Sequence, residues 1–271
     1  MKKSAKCSTY DMLIYSTGEC TNSLISNAIW GFAMLYYTDA LGLRPTLAGI
    51  AMSLSIFWDA VTDPVMGHIS DHTRSRFGKR HPYILIGGLL MVLSFYLLWA
   101  VPDFFKSNNS ILFWYLVGIN ISLRTFYTAF IIPYAALGFE MCTDYDGRAK
   151  LQGLRTVVNM IANLLGPALA WAIFFQNNGD IRAINVPKNY TDMAGCFSVI
   201  SIFSIVLVVF STLKHMEDSR GMFSGGGIKN FLTDIKEIVT DKYPRWVFIF
   251  IFIIMLAFVL VGSLQMYTAY D

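Results

Sequence analysis

The sequence predicts an all-α membrane protein: a bundle of six spanning helices, a polar linker, then a seventh spanning helix. Three observations carry that prediction. Charged residues are only 14% of the 271 and hydrophobic ones 55%, whereas a typical soluble domain is about 25% charged. Apolar runs near the ~20 residues that a spanning helix needs recur seven times. Lys and Arg sort between alternate loops. Fifteen lie in the N-terminal tail and in 69–81, 140–151 and 214–245, and only Arg44, Lys106, Arg182 and Lys188 lie in the loops between. By the positive-inside rule, the tail and the basic loops are cytoplasmic.

The elements follow in order. Lys2, Lys3 and Lys6 lead into a polar stretch and then an apolar run too long for a signal-peptide core, so the N-terminus reads as a cytoplasmic tail. Segment one covers 14–38 and segment two 46–68, joined by a turn at 39–45. Segment three covers 82–101 and segment four 111–139, joined by a turn at 102–110. Segments five and six cover 152–175 and 193–213, with a longer connection at 176–192. In the linker, Gly225, Gly226 and Gly227 precede Ile228, Phe231, Leu232, Ile235, Ile238 and Val239. Those positions share one helical face, which predicts a short amphipathic helix, either an ordinary linker helix or one lying against the membrane or the cytoplasmic helix ends. Segment seven covers 246–270. The domain plan is therefore a bundle over 1–213, a cytoplasmic loop over 214–245, and the start of a second bundle over 246–271.

Several function classes are excluded by what the chain lacks. A net charge of +3 is too small to argue for nucleic acid, and the four cysteines have no metal-ligand spacing. There is no Gly-rich phosphate loop, zinc-type His pair or nucleophile elbow. No enzyme chemistry and no cofactor are expected.

Ionisable residues at membrane depth cost at least ~2.5 kcal/mol each on insertion scales, so they are functional candidates. Segment two carries Asp59 and Asp63, four apart and hence on one helical face. Gly67 and Asp71 continue that stripe. Pro64 lacks an N–H, which frees the carbonyl of Ala60 between the two carboxylates. Two carboxylates and a loose carbonyl suit a small hard cation, with Na⁺ at Asp59 and Asp63 the metal reading; the alternative is that one aspartate pairs with an internal Arg and the other faces a cytoplasmic crevice.

The stretch from Trp58 to Gly88, WDAVTDPVMGHISDHTRSRFGKRHPYILIGG, resembles the glycoside–pentoside–hexuronide cation symporters, a melibiose-permease-like branch of the major facilitator superfamily. Tyr36-Tyr37-Thr38-Asp39-Ala40-Leu41-Gly42 also matches that family. The resemblance implies the superfamily's N-terminal six-helix bundle plus a seventh helix, with the second half incomplete. About five further helices would be needed for transport. It implies a cation site at Asp59, Thr62, Asp63 and Thr128, for Na⁺ or H⁺. It also implies a cytoplasmic gate motif of Gly67, Asp71, Arg76, Gly78, Lys79 and Arg80.

The family's solute positions are only partly kept. Its acidic residue on segment one falls on Ser23, next to Asn22, and its second acidic residue falls on Ile131. The stacking aromatic falls on Ala135, and only Arg155 survives. Two lost carboxylates remove acceptors for sugar hydroxyls, which disfavours a galactoside. Tyr127 and Asn159 are expected to line the solute cavity. Glu19, near the predicted start of segment one, is expected to cap or solvate.

Arg124 has no family counterpart. It lies one turn before Thr128 and two before Ile131. Three readings stay open: it binds an anionic solute, it reaches the Asp59/Asp63 pair as a fixed internal charge, or it pairs elsewhere in the bundle.

The resemblance implies a cation-coupled symporter for a glycoside, hexuronide or related carbohydrate, working by alternating access. The expected partners are that solute and the lipid bilayer. The expected location is a bacterial inner membrane with the N-terminus cytoplasmic. The alternatives are a lysolipid or amphiphile symporter, or a non-transporting membrane fragment or interaction subunit.

Overall fold

The computed structural model describes residues 8–213, except Arg74, Arg76, Phe77, Ser107, Thr143 and 177–181, together with 245–247, 249–250 and 253–254. The chain divides into two compact units, Met1–Met222 and Phe223–Asp271. The predicted amphipathic helix at 228–239 and most of segment seven lie outside the described residues, although 245–247, 249–250 and 253–254 are helical.

Every regular element in the described part of the first unit is a helix. Segment one is divided into α1 (Thr9–Ser16) and α2 (Gly18–Leu35), and ends in a π-helical turn, Tyr36–Ala40. Ser8 caps α1 by accepting from the Tyr10 N–H. α3 is Pro45–His72, with Pro45 in its first turn, where a missing N–H costs nothing. It runs on through Pro64. α4 is His81–Trp99 and α5 is the single turn Asp103–Lys106. α6 is Asn109–Met141, capped by the Asn108 side chain on the Ser110 N–H. α7 is Tyr145–Ile173, capped by Asp144 on the Gly147 N–H. α8 is Pro187–Thr212, after a 3₁₀ turn at Ala183–Asn185.

Two expectations change here. α7 begins seven residues before the predicted segment five, because Asp144 supplies the cap. Likewise α8 begins six residues before segment six, because Pro187 is preset for a first helical turn. Of the predicted spans, α4, α6, α7 and α8 are long and apolar enough to cross a membrane by length and composition. α2 and α3 carry instead the polar residues Glu19, Asn22 and Asn27, and Asp59, Asp63 and Asp71. Their hydropathy is lowered by the groups that make the site.

The helices pack as an arc in the order α7, α2, α8, α4, α6, α3, each against the next. At one end of the arc's interior, Phe32, Tyr36, Trp99, Phe175 and Tyr190 form an aromatic core. Trp99 stacks on Tyr190 with centroids 5.7 Å apart, and the Tyr36 hydroxyl donates to the Trp99 carbonyl at 2.6 Å. Tyr36 and Tyr37 are therefore packing residues, whereas Trp30 and Trp114 are exposed.

Across the arc, α1 and α6 lock through a reciprocal pair. The rings of Tyr15 and Tyr134 stack at 4.6 Å, and each hydroxyl donates to the other residue's carbonyl. Each ring also covers a glycine: Tyr134 lies over Gly18 and Tyr15 over Gly138. A Cβ at Gly18 would come within 2.5 Å of the Tyr134 ring.

Candidate cation and solute site

Asp59 and Asp63 occupy successive turns of α3, and Arg124 and Thr128 occupy successive turns of α6. Both pairs are separated by the same 65 residues in sequence. A constant offset requires the two helices to run in parallel here, so each turn of one faces a turn of the other. Arg124 Nη1 donates to Asp59 Oδ2 at 3.0 Å, and the Thr128 hydroxyl donates to Asp63 Oδ1 at 2.7 Å. The indole N–H of Trp58 adds a third tie, to Thr125 Oγ1 at 2.8 Å. Arg124 thus lies in contact with the aspartate pair through Asp59.

Carboxylate and hydroxyl oxygens are the donor type that hard cations take. Asp59 Oδ1 is buried with no hydrogen-bond partner among the described residues. Thr62 directs its hydroxyl to the Trp58 carbonyl at 3.1 Å and the Asp59 carbonyl at 3.4 Å, which leaves its lone pairs as acceptors. Thr128 is almost fully buried and Asp63 is exposed. No three His, Cys, Asp or Glu side chains converge as a metal cluster among the described residues. Two carboxylates against one guanidinium leave a single net negative charge at the site.

A second polar cluster joins α2, α6 and α7. Its centre is Glu19, which accepts from Arg155 Nε at 2.8 Å and Nη2 at 2.5 Å. Glu19 also accepts from Asn22 at 3.1 Å and Asn159 at 3.4 Å. Tyr127 donates to Asn22 at 2.6 Å, and Asn159 donates to Ser23 at 2.9 Å. Farther along, Asn163 donates to Asn159 and Asn27 donates to Asn163. The Arg155 guanidinium also lies over the Tyr134 ring at 5.1 Å and the Tyr15 ring at 5.9 Å. The structure thus gathers Asn22, Ser23, Tyr127, Asn159 and Arg155 at one site. Ile131 is outside this network and packs against the hydrophobic core.

Glu19 is a correction. It is 5% exposed and bound to Arg155, so it neither caps nor solvates. The predicted start of segment one made it look terminal, but α1 adds two turns before it. The acceptor lost at Ser23 is thereby restored one turn earlier on the same face.

The gate motif is partly assembled. Arg80 Nη2 bonds Asp71 at 3.0 Å and Glu140 at 2.9 Å, and Arg80 Nε also reaches Glu140 at 3.1 Å. Arg80 thus ties the ends of α3 and α6 to the start of α4. Glu140 went unnoticed in the sequence because it sits 60 residues from its partner in an unremarkable helix end. Gly78 has φ +82°, a conformation that favours glycine. A Cβ at Gly67 would meet the Ile132 side chain in ordinary contact at 3.8 Å, Lys79 is part of this basic end, and Arg76 lies outside the described residues.

Helices able to span a bilayer, with charge pairs held inside the bundle, define an integral membrane protein of the transporter class. The sequence profile of the family described as MFS/sugar transport protein matches residues 14–271, and the chain belongs to that family. This bears out the resemblance to the glycoside–pentoside–hexuronide symporters read from Trp58–Gly88. Over 212 residues the chain is 29% identical to the uncharacterized symporter sll1374 of Synechocystis sp., covering 77% of this chain and 37% of that protein. It is 28% identical over 216 residues to the inner membrane symporter YicJ of Escherichia coli, covering 79% and 45%. It is 30% identical over 178 residues to the sodium-dependent lysophosphatidylcholine symporter 1 of Mus musculus, covering 65% and 33%. The chain spans less than half the length of these relatives.

Proposed function

We propose that this chain forms the N-terminal half of a cation-coupled symporter that carries a polar, hydroxyl-bearing solute, a glycoside, hexuronide or related carbohydrate, by alternating access. The observation that carries the reading is the tie between the two carboxylates of α3 and the Arg124–Thr128 turn of α6. Charge at that tie gives a cation differential affinity for two arrangements of the bundle, which is what coupling requires. The cation set is Asp59, Thr62, Asp63 and Thr128. The polar wall from Asn27 through Glu19 to Arg155 supports a hydroxyl-bearing solute, because its carboxamides, carboxylate and guanidinium offer both donors and acceptors. In this reading residues 1–213 are one half, 214–245 a cytoplasmic linker, and 246–271 the start of a second half whose further helices complete the pathway. The Arg80 end faces the cytoplasm, where Arg80, Asp71 and Glu140 close the gate. The membrane is a bacterial inner membrane, and no covalent chemistry is involved.

A second reading, an amphiphile of lysolipid type, is supported by the mouse relative's name and by the apolar Ile131 at a family acidic position. Uptake by proteoliposomes of the full-length protein, with imposed sodium or proton gradients, tests both. Gradient-driven accumulation of a labelled glycoside or glucuronide, lost in Asp63→Asn and Asn159→Ala, is expected. Accumulation of lysolipid alone would favour the second reading. Indifference to both ion gradients would overturn cation coupling.

A further inference from the structure

Asp59 and Asp63 are alike in type and spacing, yet α6 gives them unlike partners. Asp63 is held by a neutral hydroxyl, Thr128, at 2.7 Å. Asp59 is held by a full positive charge, Arg124 Nη1, at 3.0 Å, with both side chains about one-fifth exposed (18% and 22%). A guanidinium stays charged at any working pH, and α6 keeps it in reach of Asp59. A free cation approaching Asp59 therefore meets a like charge already seated on the same carboxylate. In the low-dielectric interior of a bundle, that repulsion is several times thermal energy. The carboxylate is nonetheless only half used, since Oδ1 is buried without a hydrogen-bond partner among the described residues. It is an oxygen ligand that a small ion would gain once the guanidinium is gone.

We propose that Arg124 is a tethered cation occupying the coupling-ion seat at Asp59, and that it thereby sets this chain's ion specificity by excluding sodium and lithium. This rests on the reading of Asp59 and Asp63 as the cation site. It makes Arg124 a specificity-determining residue rather than a solute ligand. It also distinguishes two chemistries from one pair of aspartates: with the guanidinium seated, one negative charge remains; without it, two carboxylates face a free ion.

The test is the thermal melt of the purified full-length protein in sodium, lithium and choline chloride at matched ionic strength, with Arg124→Gln and Arg124→Lys beside the wild type. Arg124→Met replaces Arg124→Gln if the latter does not fold. Wild type and Arg124→Lys are expected to melt alike in all three salts. Arg124→Gln is expected to gain at least ~10-fold in sodium or lithium affinity, seen as a specific rise of roughly 2–4 °C. That rise should vanish in Arg124→Gln/Asp59→Asn. A wild type with a sodium-specific rise as large as that of Arg124→Gln would overturn the proposal, since the ion would then sit beside the guanidinium. So would a gain in Arg124→Lys equal to that in Arg124→Gln, which would make shape rather than charge decisive. No response in any variant, with uptake that still follows a proton gradient, sinks only the tethered-cation inference. No response together with gradient-independent uptake sinks the cation-coupled reading itself.

Discussion

Substituting Glu19→Gln removes the negative charge from the most enclosed ion pair described in this chain. The carboxylate accepts two N–H groups from Arg155, at 2.8 and 2.5 Å, and carboxamide donors from Asn22 and Asn159. The two side chains are 7% and 13% exposed, so solvent replaces little of what is lost. Removing one partner of a buried pair costs about 3–5 kcal/mol, because the other charge is left uncompensated. Part of that is offset here. The guanidinium keeps the faces of Tyr15 and Tyr134, worth roughly 0.5–2 kcal/mol for a cation over aromatic rings. The expected net loss is therefore ~2–4 kcal/mol. At roughly 2–4 °C per kcal/mol for a unit of this size, the melting temperature of the full-length protein without solute should fall by about 10 °C. The assay is a double-mutant cycle read by thermal melting. Glu19→Gln/Arg155→Gln should recover much of the loss, because no unpaired charge then remains. A single variant melting within ~2 °C of wild type, or a double variant whose loss equals the sum of the singles, would refute the coupling argued from the geometry.

Three further outcomes are expected. Gly138→Ala places a Cβ 2.7 Å from the Tyr15 hydroxyl and should destabilise by ~1–3 kcal/mol through overpacking, whereas Gly153→Ala, with open space around it, should leave the melt unchanged or slightly raised. Gly78→Ala forces a side chain onto a backbone at φ +82° and should cost on the order of 1–2 kcal/mol, with Gly78→Asn losing less in the same melt. Glu140→Gln should lower the melting temperature more than Asp71→Asn. Both carboxylates bind Arg80, but the Asp71 side chain is 59% exposed and the Glu140 side chain 25%, and exposed pairs contribute only ~0–1 kcal/mol.

The helical class, the order of the segments and the Asp59/Asp63 spacing were legible without coordinates. Each depends on a local property: the length of an apolar run, the sorting of Lys and Arg among loops, or the 3.6-residue period that puts positions four apart on one face. The motif from Trp58 to Gly88 carried the family for the same reason, being one continuous stretch. Helix starts at Tyr145 and Pro187 were less legible, because a capping side chain or a proline moves a boundary beyond the apolar run that marks it.

Partnership was decided only by the tertiary structure. Arg124 had three readings in sequence, and 65 residues separate it from the aspartate it binds. Glu19 reads as a helix end from the apolar run alone, yet α1 precedes it, and its partner Arg155 is 136 residues away. Arg80 and Glu140 are 60 apart. No periodicity within one helix records which turn of another helix will face it. That is set by how the arc from α7 to α3 packs, through the Tyr15–Tyr134 lock and the parallel run of α3 beside α6. The sequence by itself determined which charges enter the bundle, because burying them is costly wherever they fall. The packing of the helices determined which charge meets which, because only proximity across the interior compensates that cost.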